Sequence, residues 1–239
     1  MNNAVKLKDL AKMIDHSLLQ QNVTDRDILK GIEISKRYNV AAICTKPYTV
    51  PIVVEHLAGT DIAVCTVIAF PHGNITTTMR VVEAEMAMAD GATEIDMVVN
   101  IGKVLSEDWK YVSEELKVVN DVVTAKGNIL KVIFENDFLE DYHIIKLCEI
   151  CSEHKIAFVK TSTGYGFIRQ ENGMYSYKGA TIQQVKLMRY HSANYVNVKA
   201  AGAIRSLDDF LKFRELGVSR IGATATESIL EEAKKRGIQ

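Results

Sequence analysis

Short, continuous apolar runs alternate along the chain with longer stretches whose apolar positions recur at helical spacing, and the alternation is sustained from end to end. The first run, Met13 to Leu19, reads as a strand, and Thr24-Asp25-Arg26-Asp27 opens a helix with a cap residue followed by early acids. Val40 to Cys44 is apolar throughout, as a parallel strand covered on both faces requires, and Lys46-Pro47 ends it ahead of a helix near 48–57. A third strand is predicted from Asp61 to Phe70, closed by Pro71-His72-Gly73 and followed by a long helix over 76–90. Ala92 to Val99 is a fourth, with a helix opening at Ser106-Glu107-Asp108, where acids meet its positive end.

Leu130 to Phe134 is a fifth strand, trailed by a helix at 140–153, and Ile156 to Val159 is a sixth. The segment after it, 164–179, is polar and aromatic, turns at Glu171-Asn172-Gly173, and far exceeds the two to six residues usual after such a strand. Long loops at this position tend to be functional, so it is a candidate lid or specificity element. Tyr195 to Lys199 is a seventh strand with a helix from Ser206. Ser219 to Gly222 is an eighth, entering a last helix at Thr224-Ala225-Thr226-Glu227, which has the spacing of a capping box.

Eight strand-helix units without a linker predict an α/β protein, one (β/α)8 TIM barrel occupying 1–239 as a single domain. The rival, an open doubly wound sheet, would carry a dinucleotide fingerprint. Gly164-Tyr165-Gly166 lacks its third glycine, and no P-loop occurs. A chain of 239 residues with 47% hydrophobic and 25% charged positions buries a sizeable core. Its formal net charge of −1 gives no global field for nucleic acid or a membrane, so any anion site is local. The stretch to Lys12 holds no signal-like apolar block, and no run long enough to span a bilayer follows, which predicts a soluble cytoplasmic protein. Four cysteines, with Cys148 and Cys151 the one close pair, read as reduced thiols on a helix face, and six scattered histidines form no metal motif. Tyr165, Phe167, Tyr175 and Tyr177 are expected to pack the long loop, and Met79, Met86 and Met88 to serve the core or a contact between copies.

Ionisable residues interrupt the apolar strands where a barrel carries its chemistry, at the carboxyl ends. Lys160 ends the sixth strand and Lys199 the seventh, Asp96 lies late in the fourth, and Lys131 is within the fifth. Buried alone, such groups are costly, so they are expected to meet inside. One reading is a structural ion network. The other is catalytic: two crowded ammonium groups repel, desolvation acts in the same direction, and the one that sheds its proton becomes a nucleophile toward a carbonyl. On that reading Lys160 is the nucleophile, Lys199 the crowding neighbour, and Asp96 the proton shuttle. No metal or cofactor is called for, because a protonated imine is itself the electron sink. Gly202 and Gly222 follow the seventh and eighth strands, and Thr224 starts the last helix, where a barrel of this kind gathers phosphate.

These residues carry a family resemblance. Asp15-His16-Ser17-Leu18-Leu19, Glu94 to Val98, Leu130 to Ile133, Phe158 to Gly164, Lys199 to Arg205 and Arg220 to Ala223 resemble, in order and over nearly the whole chain, the motifs of deoxyribose-phosphate aldolases. The resemblance implies a (β/α)8 lyase that reversibly cleaves 2-deoxy-D-ribose 5-phosphate to D-glyceraldehyde 3-phosphate and acetaldehyde. Lys160 would form the Schiff base, with Asp96 and Lys199 as the proton-transfer pair. It puts Asp15, Ser17, Cys44 and Lys131 around the pocket, with Cys44 a candidate site of inactivation by aldehydes. Phosphate would lie over Gly164, Gly202, Ala203, Gly222, Ala223 and Thr224. The implied partners are a sugar phosphate and an aldehyde, and the implied assembly is a homodimer.

Three departures stand out: Ser17 for a common threonine, Ala203 for a glycine of the phosphate loop, and Thr224-Ala225 for a pair of serines. A lost hydroxyl is expected to weaken phosphate binding by roughly 0.5–1.5 kcal/mol. Two rivals stay open at this point: a Schiff-base aldolase for another sugar phosphate or unphosphorylated aldehyde, and a non-catalytic phosphosugar-binding barrel.

Overall fold

Each apolar run becomes one stave of a closed barrel in the computed structural model, which describes residues 5–239. A short helix α1 (Leu7–Ala11) leads into β1 (Ile14–Leu18), α2 (Asp25–Tyr38), β2 (Ala42–Thr45), α3 (Val50–Leu57), β3 (Ala63–Ile68) and α4 (Thr77–Ala89). Then come β4 (Glu94–Val98), α5 (Ile101–Leu105), α6 (Trp109–Ala125), β5 (Ile129–Ile133), α7 (Asp141–Glu153) and β6 (Phe158–Lys160). A two-stranded hairpin, β7 (Ile168–Arg169) and β8 (Tyr175–Ser176), precedes α8 (Ile182–His191), β9 (Asn197–Ala201), α9 (Leu207–Glu215), β10 (Arg220–Ala223) and α10 (Thr226–Lys235). The barrel order is β1-β10-β9-β6-β5-β4-β3-β2, every pairing parallel, and the hairpin stands apart as its own antiparallel pair. This is the (β/α)8 TIM barrel that the alternation predicts.

Two packed regions hold it. The larger lies between strands and helices, with Phe134, Phe210, Ile95 and Leu116 among its fully buried side chains. The smaller lies inside the barrel on the β1–β3 side, where Leu19, Ala42, Cys44, Cys65 and Val67 pack with Phe70 and Tyr165. The opposite half of the interior is not apolar, and it holds the site.

Several elements differ from expectation for identifiable reasons. The third strand ends at Ile68 rather than Phe70 because Ala69 takes a left-handed φ of 51°. The short helix α5 stands where the sequence pattern predicts none; the Asn100 side chain caps it by accepting the Lys103 N–H at 3.2 Å. Asp108 then caps α6 through the Tyr111 N–H. No capping box forms at Thr224: Ala225 is the cap residue of α10 and offers no side-chain bond, while the Thr226 hydroxyl is bound instead to His16 Nδ1 at 2.8 Å. Cys148 and Cys151 are both buried in α7. Met79 and Met86 are exposed on α4, whereas Met88 packs against the core.

Thus His16, pointing outward from β1, ties the first strand to the last helix. Burial pushes its imidazole down to about 4 from the ordinary 6.5. Because the unfolded chain then binds a proton that the folded one refuses, this stabilisation is complete above pH 6.5 and is lost as pH falls toward 4. Urea unfolding at pH 6.5 and 4.5 is expected to show that His16→Asn loses about 2–3 kcal/mol less over that interval than the unsubstituted protein. Equal losses would remove His16 as a cause of acid instability.

Candidate active site

Strand register brings the ionisable side chains together. Lys160 of β6 is the ladder partner of Lys199 of β9, Lys199 in turn of Arg220 of β10, and Asp96 of β4 of Lys131 of β5. Residues two apart on a strand share a face, so Glu94 lies below Asp96 on the same interior side. The result is one connected ionic network inside the barrel.

At its centre Asp96 Oδ2 accepts from Lys160 Nζ at 2.7 Å and from Lys199 Nζ at 2.8 Å. The two amines therefore share one oxygen, and neither faces the other bare. Lys199 also pairs with Asp15. Lys131 Nζ lies 2.6 Å from Glu94, 3.0 Å from Asp15 and 3.2 Å from the other Asp96 oxygen. Arg220 reaches Glu94 at 2.7 Å and also pairs with Asp15. The Phe158 ring closes the bottom, its centroid 5.8 Å from Lys131 Nζ and 5.8 Å from the Arg220 guanidinium.

Burial alone drives such groups toward neutrality, but here the mutual charges outweigh it. Desolvation raises the carboxyls of Asp15 and Asp96, and the surrounding cations bring both below the usual carboxylate range. Desolvation likewise disfavours the Lys131 and Lys199 ammonium groups, yet Asp15 and Asp96 hold both above the ordinary lysine range. Lys199 is thus a held cation, which differs from the simple repulsive neighbour that the sequence suggests.

Counting formal charge sets one amine apart from the others. Three carboxylates, Asp15, Glu94 and Asp96, face four cationic side chains, Lys131, Lys160, Lys199 and Arg220. One positive charge is unmatched. Among the described residues Lys160 pairs with a single carboxylate, where each of the other three pairs with at least two. Lys160 is therefore the cation of the cluster with the fewest opposite charges around it.

Above the network a cavity of about 390 Å³ opens at the carboxyl ends of the strands, with Ser17, Cys44, Lys160 and Lys199 at its floor. Its wall includes Gly164, Gly202, Ala203, Gly222, Ala223 and Thr224, all six positions read as the anion cradle, together with Arg205. Asp15, Asp96 and Lys131 do not line the cavity; they lie fully buried among the ion pairs beneath it. Asp15 and Lys131 thus shape the charge under the pocket rather than its surface. Tyr165, Phe167 and Tyr177 add an aromatic side, with Phe167 and Tyr177 edge to face at 5.7 Å. The aromatic hairpin therefore packs on itself and also borders the cavity, while Tyr175 is exposed.

Glu94, Arg220, Cys65 and Glu135 are site residues that sequence reasoning did not single out. Cys65 Sγ sits 3.1 Å from Asp96 Oδ1 and 3.3 Å from Lys131 Nζ. The Cys44 thiol, hydrogen-bonded with Cys65 and near Lys199 and Lys160, is brought below the ordinary thiol range. Cys44, Cys65 and Asp96, and likewise Asp15, Cys65 and Glu94, stand within metal-ligand reach of one another. Lysine ammonium groups already occupy the cation positions between these donors, so the fit is to internal ions.

The arrangement presents two amines on the floor of a cavity, a carboxylate bound to both, and a small-residue cradle on the wall. That is the equipment for forming an imine with an aldehyde bearing an anionic group. Comparison with known proteins agrees. Residues 10–225 match the DeoC/LacD family aldolases. The deoxyribose-phosphate aldolase of Rhodopirellula baltica is 47% identical over 95% of this chain and 90% of its own. That of Caldanaerobacter subterraneus is 44% identical over 97% of this chain and 96% of its own. The solved deoxyribose phosphate aldolase of Aeropyrum pernix, described as a tetramer, superposes with a TM-score of 0.85 at 26% identity, covering 97% of this chain and 93% of that one. The chain belongs to the DeoC/LacD family of aldolases.

Proposed function

We propose that the protein is a class I aldolase that reversibly cleaves 2-deoxy-D-ribose 5-phosphate to D-glyceraldehyde 3-phosphate and acetaldehyde, with Lys160 as the imine-forming residue. The observation that carries this reading is the unmatched positive charge of the ionic network, which falls on the one amine at the cavity floor that has a single carboxylate partner. The Lys160 nitrogen adds to the substrate aldehyde carbon, and the carbinolamine loses water to give a protonated imine. Cleavage of the C2–C3 bond, with the C3 hydroxyl proton removed, sends its electron pair into that imine and releases D-glyceraldehyde 3-phosphate. The resulting enamine takes a proton at C2, and water then frees acetaldehyde and the amine.

Asp96, 2.7 Å from the Lys160 nitrogen, is the group placed to move protons on and off the carbinolamine. Lys199 holds that carboxylate from the other side and keeps positive charge beside the reacting nitrogen. The phosphate belongs over Gly164, Gly202, Ala203, Gly222, Ala223 and Thr224, where α10 begins without a side-chain cap and leaves first-turn N–H groups for an anion. Four unpaired thiols suit a reducing compartment such as the cytoplasm, and no helix among the described residues is long and apolar enough to cross a membrane. The same reading includes a two-copy assembly, for which exposed Met79, Val82 and Met86 on α4 offer an apolar face.

Three outcomes test it. Lys160→Ala abolishes turnover while circular dichroism and thermal unfolding stay as in the parent; in the parent, borohydride with acetaldehyde adds the mass of one reduced imine at Lys160. Retained activity in that variant would falsify the mechanism. Asp96→Asn lowers kcat by about 10²–10⁴, yet borohydride still traps some imine, separating proton transfer from carbonyl addition; an unchanged kcat removes Asp96 from the reaction. Ala203 adopts φ 62° at the cavity wall, a conformation that suits glycine. Ala203→Gly therefore lowers KM for the phosphorylated substrate by about two- to fivefold, with little change for unphosphorylated 2-deoxyribose.

A further inference from the structure

The segment between β6 and α8 leaves and rejoins the barrel under the control of two carboxylates that are two residues apart. Glu135 and Asp137 follow β5, which pairs with β6. Glu135 is buried with a left-handed φ of 57°, and its neighbours are pinned to β6: the Phe134 N–H donates to the Lys160 carbonyl and the Asn136 N–H to the Thr161 carbonyl, each at 2.9 Å. Its carboxyl accepts the Thr163 N–H on both oxygens at 3.2 Å and the Thr163 hydroxyl as well. Thr163 Oγ1 in turn accepts the Tyr165 N–H at 2.8 Å. Gly166 lies so close that an added Cβ would be 2.8 Å from Glu135 Cδ. At the other foot, Asp137 accepts the Lys178 and Gly179 N–H groups, both at 3.0 Å.

We infer that Glu135 is a positioning residue for the proposed aldolase reaction: its buried carboxyl sets the turn Thr163 to Gly166, which presents Gly164 and Tyr165 to the substrate beside Lys160. The inference rests on the function proposed above, since it is the substrate's phosphate end that this turn would meet. Asp137 secures the far foot of the same segment, so both ends of the hairpin are held in register with the barrel mouth.

The environment of the carboxyl provides a readout that a purely structural brace would lack. Burial pushes Glu135 up to about 7, the Thr163 hydrogen bonds pull it back, the Asp137 charge raises it and Lys160 lowers it. Lys160 from β6 and Asp137 on the following turn are the charged groups that act on it, with Tyr165 on the turn it holds. Ionisation near neutrality therefore adds a negative charge behind the turn that meets the phosphate. The KM of the parent for 2-deoxyribose 5-phosphate is expected to rise from pH 6 to 8 by about fivefold relative to Glu135→Gln, which keeps the shape and cannot ionise. The phosphate of the substrate titrates equally in both proteins and cancels in the ratio.

The experiment measures KM and kcat for 2-deoxyribose 5-phosphate across pH 6–8 in the parent, Glu135→Gln and Glu135→Ala, with borohydride trapping of acetaldehyde on Lys160 in each. Glu135→Ala is expected to raise KM about tenfold, because the Thr163 N–H and hydroxyl both lose their acceptor, without a matching fall in kcat. Glu135→Gln is expected to recover KM to within about threefold at pH 6. A wild-type KM in Glu135→Ala, or parallel KM profiles for the parent and Glu135→Gln, overturns the inference. If Glu135→Ala does not fold, the profile of Glu135→Gln decides alone. A parent that traps acetaldehyde and turns over the substrate while both variants match it sinks only this inference, whereas a parent inactive on the substrate sinks the proposed function with it.

Discussion

One oxygen of Asp96, shared between the amines of Lys160 and Lys199, is the contact on which the site depends. Burying charge in a barrel is tolerable only when each ion has partners, and the network meets that demand for Lys131, Lys199 and Arg220 by giving each two or more carboxylates. Lys160 receives one. The structural network that the sequence suggests is present, and the catalytic reading proposed for Lys160 does not compete with it: balance among the other groups is what leaves this side chain with a single partner.

Much of this was legible because apolar runs make ionisable interruptions conspicuous. Eight strands emerged from continuous Val, Ile and Ala stretches, and Lys131, Lys160, Lys199 and Asp96 stood out as charges in positions that ought to be greasy. Their meeting followed from the cost of burying any of them alone. Glu94 and Arg220 escaped notice because each sits at a strand's first residue, where a charge is ordinarily solvated; here register turns both inward and gives them one another. Thr224 looked like a cap because its spacing to Glu227 is right, but the helix starts later and Thr226 has a distant partner in His16. The hairpin was invisible for a simpler reason: strands of two residues are too short to have a period.

The interior is divided in a way that suits carbonyl chemistry. On the β1–β3 side, Cys44, Cys65, Ala42 and Val67 form a soft apolar wall, and on the other side the ions are locked in pairs. The Lys160 nitrogen thus lies between fixed ion pairs on one flank and an apolar wall on the other. Under the proposed mechanism, preorganised charge of this kind would stabilise a developing iminium without having to reorient during the reaction.

The ladder pairing of Lys160 with Lys199 has an evolutionary corollary. Sliding either strand by a single residue would turn its lysine out of the barrel and strand the other amine's carboxylate, so a one-residue length change in β6 or β9 would break the network. The hairpin, held at both feet by carboxylates, can change length without disturbing that register. New aldehyde preferences would therefore be acquired by remodelling that outgrowth while the ion-paired floor is inherited intact.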